Sequence, residues 1–270
     1  FRASGPASAS QSRIKIGAKK DGTLVAMQAS LYYEAGAFKG SPMGPGCMTV
    51  FTPYDVENMW VEGFDVVVNK AKVAAYRAPG APQAEFAAEM VMNELAERLA
   101  MDPIDFRLQN AAKEGTQTLY GPKLKAVGLV ECLQAAKTSK QYQTALAEGE
   151  GRGVAAGFWF NIGGQSSVII NMNPDGTGTI LEGSPDIGGS RASMQMMAAE
   201  ELGIPLDRLN PIVTDTEHVA YNQTTGGSRT TFATGMAVVE ACQDIVAQLK
   251  SRAAAMWNVT SEQGDWQDGS

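Results

Sequence analysis

Twice in this chain an alternating run of apolar and polar residues turns back on an Asp-Gly pair. RIKIGAKKDGTLVAMQASLYYEAGAF, residues 13–38, alternates on both sides of Asp21-Gly22, and SSVIINMNPDGTGTILEGSPDI, residues 166–187, does so around Asp175-Gly176. Period-two alternation lays one face of a strand on a core, and Asp-Gly supplies the positive φ that a tight hairpin turn needs. Each predicted hairpin leads into a Gly-rich loop, and after the second a helical pattern follows directly. The repeated plan points to two β-hairpin-plus-helix halves. The 270 residues suit one large domain or two smaller ones, with length enough for a sizeable core.

Between the hairpins the pattern predicts a strand pair over 56–76, then a helix over 83–100. In that helix Phe86, Met90, Leu95 and Leu99 recur at helical spacing, and Pro82 fits the first turn. Asp102-Pro103 starts a second, short helix, PIDFRLQN. A helix near 129–147 runs toward GEGRG, the best linker candidate, so the halves divide as 1–150 and 151–270. Further helices are predicted over 191–202, before Gly203, and over 234–257. Strands and helices interleave, which makes the fold class α+β, a mixed α/β arrangement.

A formal charge of −7 argues against a nucleic-acid partner. No run of about 18 apolar residues and no signal peptide is present, so no membrane partner is expected. Cys47, Cys132 and Cys242 are far apart with no CxxC pair, and His218 stands alone, so no iron–sulfur or zinc ligand set is written here. Reduced thiols predict a cytoplasmic protein.

Three loops share one physical design: YRAPGAPQ (76–83), DIGGSR (186–191) and TTGGSRTT (224–231). Each contains Gly and feeds a predicted helix start, where unpaired N–H groups and a partial positive charge suit an anion. Arg adds a forked, permanently charged donor. One such loop alone is the mark of a turn and N-cap. Three together favour an anionic ligand of several groups. None matches a Walker loop, nor GxGxxG after a strand, so the expected ligand is a large phosphate-bearing molecule outside the standard mononucleotide sites. Arg229 has an alternative, a surface pair with an acidic neighbour such as Asp215.

AAYRAPGAPQAEFAAEMVMNELAERLAMDPIDFRLQNAAKEG, NPDGTGTILEGSPDIGGSRASMQMMAAEELGIPLDRL and TGGSRTTFATGMAVVEACQ occur here in that order. Together they resemble the molybdenum-cofactor subunit of the xanthine dehydrogenase, aldehyde oxidase and carbon monoxide dehydrogenase family, along nearly the whole chain. The resemblance implies a molybdopterin cofactor with molybdenum, often as the cytosine dinucleotide, held by Gly-rich loops. It places Tyr76 and Arg77 at the pterin, and Gly227, Ser228, Arg229 and Thr230 at the cofactor. In the second loop many relatives carry a Gln where this chain has Gly189, which leaves Gly188, Gly189 and Ser190 to act by backbone or hydroxyl.

The substrate positions depart from the pattern. Xanthine-type enzymes place a Phe where this chain has Pro79, and the purine-polarising Arg falls near Pro45. The copper-using carbon monoxide enzymes need a Cys where Ala78 stands. The remaining stacking aromatic aligns with Phe158, with Trp159 and Phe160 beside it; the alternative for such an FWF run is a place in the core, where aromatics are usually buried. The family's general-base Glu, in a GxGE-type motif, is not among these residues, so no catalytic residue is assigned, and no metal ligand either. The chain opens on Phe1 and closes on GDWQDGS, a hairpin turn without its second strand, so it reads as the central segment of a longer subunit. The resemblance implies hydroxylation of an aldehyde or N-heterocycle carbon with water. It also implies the remainder of the molybdenum subunit, an iron–sulfur subunit and an FAD subunit as partners, with no Fe–S or FAD in this chain. The alternative is a non-catalytic cofactor-holding module that needs a second chain for the catalytic Glu.

Overall fold

The computed structural model describes residues 5–269; Phe1 and Ser270, which open and close the chain, lie outside the described residues. The chain divides between Trp159 and Phe160 into two compact units.

In the first unit β1 (Ser10–Ala18) and β2 (Leu24–Gly36) pair antiparallel, with Ile14 opposite Ala29 and Ile16 opposite Met27. The hairpin closes on Asp21-Gly22 as its sequence predicts: Gly22 has φ 87°, and Asp21 Oδ1 accepts the Thr23 amide proton at 3.0 Å. A short helix, α1 (Met43–Thr49), then crosses over to β3 (Asn58–Val67), which pairs parallel with β2. The expected strand pair over 56–76 is therefore one strand. Parallel pairing needs a crossover rather than a tight turn, and the Gly-Pro-Gly crossover helix carried no periodic signal.

Helix α2 (Ala81–Arg98) packs on the inner face of this sheet, through only part of what its apolar spacing suggests: Leu95 and Leu99 pack, partly buried, against the core. Phe86 and Met90 are 70% and 55% exposed. The buried stripe is Ala81, Ala84, Ala88, Met92 and Ala96, against Met27, Leu31, Tyr33, Phe51 and Tyr54. Small side chains bring the helix axis close to the sheet, and that contact outweighs the larger apolar residues one face away. Helix α3 (Pro103–Asn110) starts where predicted; the Asp102 carboxylate accepts from the amides of Ile104 and Asp105. The helix expected near 129–147 is two pieces, α4 (Leu129–Thr138) and α5 (Lys140–Gln143). They are broken at Ser139, whose hydroxyl accepts the Tyr142 amide proton and caps the second piece.

The second unit repeats this order. β4 (Val168–Met172) and β5 (Gly178–Glu182) form the predicted antiparallel hairpin. Helix α6 (Ser190–Leu202) ends at Gly203 in the left-handed region and crosses to β6 (Leu209–Val213), parallel to β5 and not foreseen from sequence. A π-helical turn, Thr230–Thr234, leads into α7 (Gly235–Trp257). Ile180, Met194, Ala198, Leu202, Leu209, Val238 and Cys242 form its core. Hairpin, crossover helix, parallel third strand and packed helix thus occur once in each unit, an α+β fold.

Candidate functional site

In the first unit loop 76–83 is anchored at one end and open at the other. Gly80 takes φ 87° as the N-cap of α2, and a Cβ there would run into the Pro42 carbonyl oxygen. The buried Tyr33 hydroxyl donates to the Gly80 carbonyl at 2.6 Å. Ala78 also has positive φ, at 51°. Ahead of this anchor Tyr76 is 71% exposed and Arg77 is exposed, and Arg77 has no salt bridge among the described residues. Pro79 is half-buried. The loop therefore holds an aromatic and an uncommitted cation out to solvent from a rigid base, which suits anion recognition.

Phe158 is fixed to the same helix. Its amide donates to Glu85 Oε1 at 2.9 Å, and its ring lies 6.3 Å from that of Tyr120. One turn further along α2, Glu89 is buried and accepts from the Ala156 amide at 2.6 Å, from Arg107 Nε at 2.9 Å and from the Tyr54 hydroxyl. Arg107, fully buried, completes an ion pair with Glu89 at 2.7 Å. Glu85 has no such cation among the described residues. Burial in the cleft between α2 and residues 153–157 pushes its carboxyl up to about 7, and the Glu89 charge adds to this. Neither glutamate was singled out from sequence, because both looked like the polar face of an amphipathic helix.

In the second unit Gly188 and Gly189 take φ 66° and 82°, with open space beside both. Ser190 is buried; its hydroxyl accepts the Ile187 amide proton at 3.2 Å, and so holds the loop's own turn. Arg191 folds back on Asp186 at 3.5 Å. Loop 186–191 thus presents backbone rather than side chains. In loop 224–231 the Gly227 carbonyl accepts from the Ile162 amide at 3.2 Å, and the Ile162 side chain fills the space a Cβ would need. Ser228 sits exposed at φ 60°.

Arg229 is turned inward. It is 1% exposed and donates from Nε to the Gly163 carbonyl (2.8 Å), from Nη1 to Gln223 (2.8 Å), and from Nη2 to Gln165 (2.6 Å) and the Ser166 hydroxyl (2.7 Å). It does not pair with Asp215, whose carboxylate meets His218 Nδ1 at 2.6 Å. Beside Arg229, the Thr230 hydroxyl is buried without a partner. A second feature passed unnoticed in the sequence: Ser166 and Ser184 both bond the Thr234 hydroxyl, at 3.1 and 2.8 Å, which ties the stems of loops 186–191 and 224–231 together. Glu182 lies beneath them, with Oε2 accepting the Ser184 amide proton at 2.8 Å and Oε1 unpartnered; burial raises its pKa. Its inward position in the alternation of β5 was the available signal.

All three cysteines are free, and no cluster of three or more His, Cys, Asp or Glu placed to hold a metal occurs among the described residues. No helix among them is long and apolar enough to cross a membrane.

Two molybdopterin cofactor-binding domain families match the chain, one over residues 1–111 and the other over 129–270. An aldehyde oxidoreductase of Megalodesulfovibrio gigas is 29% identical over 252 residues, 86% of this chain and 28% of that protein. A xanthine dehydrogenase/oxidase of Gallus gallus is 26% identical over 95% of this chain and 20% of its own length. The solved structure of quinoline 2-oxidoreductase from Pseudomonas putida 86 superposes with a TM-score of 0.83 at 19% identity, covering 98% of this chain and 38% of that one, which speaks for the fold. The chain thus spans well under half the length of the proteins it matches. With a cofactor-binding match on each side of residues 112–128 and relatives that are molybdenum oxidoreductases, this chain belongs to the molybdopterin cofactor-binding domains of the aldehyde oxidase and xanthine dehydrogenase family.

Proposed function

We propose that the chain is the cofactor-holding segment of a molybdenum hydroxylase subunit whose parent enzyme hydroxylates an aldehyde or N-heterocycle carbon with water. The observation that carries this is the buried, partnerless Thr230 hydroxyl, set in a chain matched on both sides by cofactor-binding families. A buried hydroxyl without a partner is costly and marks a place where a ligand's polar atom fits. In the first unit the guanidinium of Arg77, and in the second the open backbone of Gly188 and Gly189, each suit a polyanionic group.

Tyr76 and Arg77 would hold its pterin end, and Gly188, Gly189, Gly227, Ser228 and Thr230 its polar atoms, by backbone and hydroxyl. Ser190 and Arg229 contribute by keeping their loops in shape. When bound, the group supplies the two-electron centre at which the substrate carbon is oxidised. Phe158 would form an aromatic wall for a planar substrate, while Pro79 offers no ring. The reading extends to the cytosine dinucleotide form, to a general-base Glu elsewhere in the subunit, and to iron–sulfur and flavin partners as electron acceptors.

The test is Arg77→Ala in the full enzyme. Losing one or two charge-assisted hydrogen bonds, about 2–5 kcal/mol, lowers molybdenum and pterin content while the far-UV spectrum stays unchanged. Full occupancy in the variant would refute the assignment of loop 76–83.

A further inference from the structure

Loop 76–83 places two residues in the left-handed region within three positions, Ala78 at φ 51° and Gly80 at φ 87°. A side chain makes that conformation costly at Ala78, so it persists only where neighbours over-determine it. Tyr33, Pro42 and Gly46 do so around Gly80. The Tyr33 hydroxyl donates to the Gly80 carbonyl, which also accepts from the Ala84 amide at 3.3 Å. The Pro42 carbonyl oxygen closes the space beside the Gly80 Cα. Gly46, on α1, lets the hydroxyl in: a Cβ there would stand 2.5 Å from Tyr33 Oη and 3.1 Å from the Gly80 oxygen. Tyr33 itself is a fixed point, fully buried on the central strand β2 between Ser10 of β1 and Asp65 of β3. Burial raises the pKa of its phenol, which therefore stays a donor.

We propose that Tyr33 is a positioning residue, whose hydroxyl fixes the direction in which loop 76–83 presents Arg77 to the cofactor. This rests on the reading of that loop as a cofactor loop. The link between the two residues is one planar peptide unit. Its carbonyl, of Gly80, is held by Tyr33, and its N–H, of Ala81, donates to the Ala78 carbonyl at 3.1 Å. Holding one end of the unit therefore holds Ala78 in its left-handed conformation, and Ala78 sets the path of the chain out of Arg77. Without the hydroxyl the unit can rotate, the Ala78 carbonyl is released, and Ala78 relaxes toward negative φ. Arg77 then leaves the geometry in which it meets an anion, so the loss falls on cofactor retention.

Tyr33→Phe keeps the buried ring and removes only the hydroxyl. Hydrogen exchange of the 270-residue chain, read by NMR at single amides, is expected to show Ala81 exchanging roughly tenfold faster in this variant. The amides of Met92, in the middle of α2, and Leu31, on β2, should be unchanged. Equal Ala81 exchange in Tyr33→Phe and the parent overturns the proposal. A matching rise at Met92 and Leu31 overturns it too, because the hydroxyl then serves global stability alone. In the full enzyme, Tyr33→Phe should lower molybdenum and pterin content severalfold, in the same direction as Arg77→Ala. Full occupancy in Tyr33→Phe beside a loss in Arg77→Ala refutes the positioning role. Arg77→Ala is the separate arm: if it keeps full occupancy while Ala81 is freed in Tyr33→Phe, the cofactor-loop reading fails and the anchoring by Tyr33 stands.

Discussion

Replacing Arg229 by Met tests the inward guanidinium most directly. The side chain makes four hydrogen bonds, three of them to backbone carbonyls of Gly163, Gln165 and Gln223. A hydrogen bond from a charged donor contributes about 1.5–3 kcal/mol, and an acceptor left buried and unpaired costs a similar amount. Gln165 and Gln223 are exposed residues, so water can reach those carbonyls once the Arg is gone. The low end then applies, and the loss should total about 3–5 kcal/mol. Urea titration would report it in a background with Trp60→Phe and Trp159→Phe, where only Trp257 and Trp266, both in the second unit, fluoresce. With a slope of about 2 kcal/mol per molar urea, the midpoint should fall by roughly 2 M. Arg229→Lys, which retains a cation but not the fork, should fall about half as far. An Arg229→Met midpoint indistinguishable from the parent would refute a structural role and return Arg229 to the ligand.

Glu85 gives the fold a pH dependence with a defined sign. Its carboxyl sits at about 7 when folded and near 4.5 when unfolded, so between those values the folded state holds the extra proton. Stability contributed at low pH is lost as pH rises through that window. The drop is about 2 kcal/mol after discounting for partial exposure. Denaturation of Glu85→Gln from pH 4.5 to 8 should lack this drop, and an unchanged profile would contradict the assignment. Gly80→Ala should cost about 2–5 kcal/mol in thermal or urea unfolding, because the new Cβ meets the Pro42 carbonyl at a φ that disfavours any side chain. A neutral substitution would mean that loop 76–83 relaxes freely and is not held from its base.

The local elements were legible where short-range chemistry decides them. Asp21-Gly22 and Asp175-Gly176 could hardly be anything but hairpin turns, and Asp102-Pro103 and Gly203 start and stop their helices by capping alone. The glycine loops and the family motifs were legible for the same reason, since each is a contiguous run. What the sequence hid depends on partners distant in the chain. β3 and β6 pair parallel with strands reached only through a crossover, so no turn announces them. The choice of the alanine face of α2 over Phe86 and Met90 is made by how close that helix can come to the sheet. Arg229 reads as an outward anion ligand in one dimension; in three it is consumed by carbonyls some sixty residues earlier in the chain, because a buried guanidinium must satisfy its donors wherever backbone is at hand. The sequence by itself determined the two hairpins, their turns and the family. Tertiary structure decided which charged side chains remain free to meet a ligand.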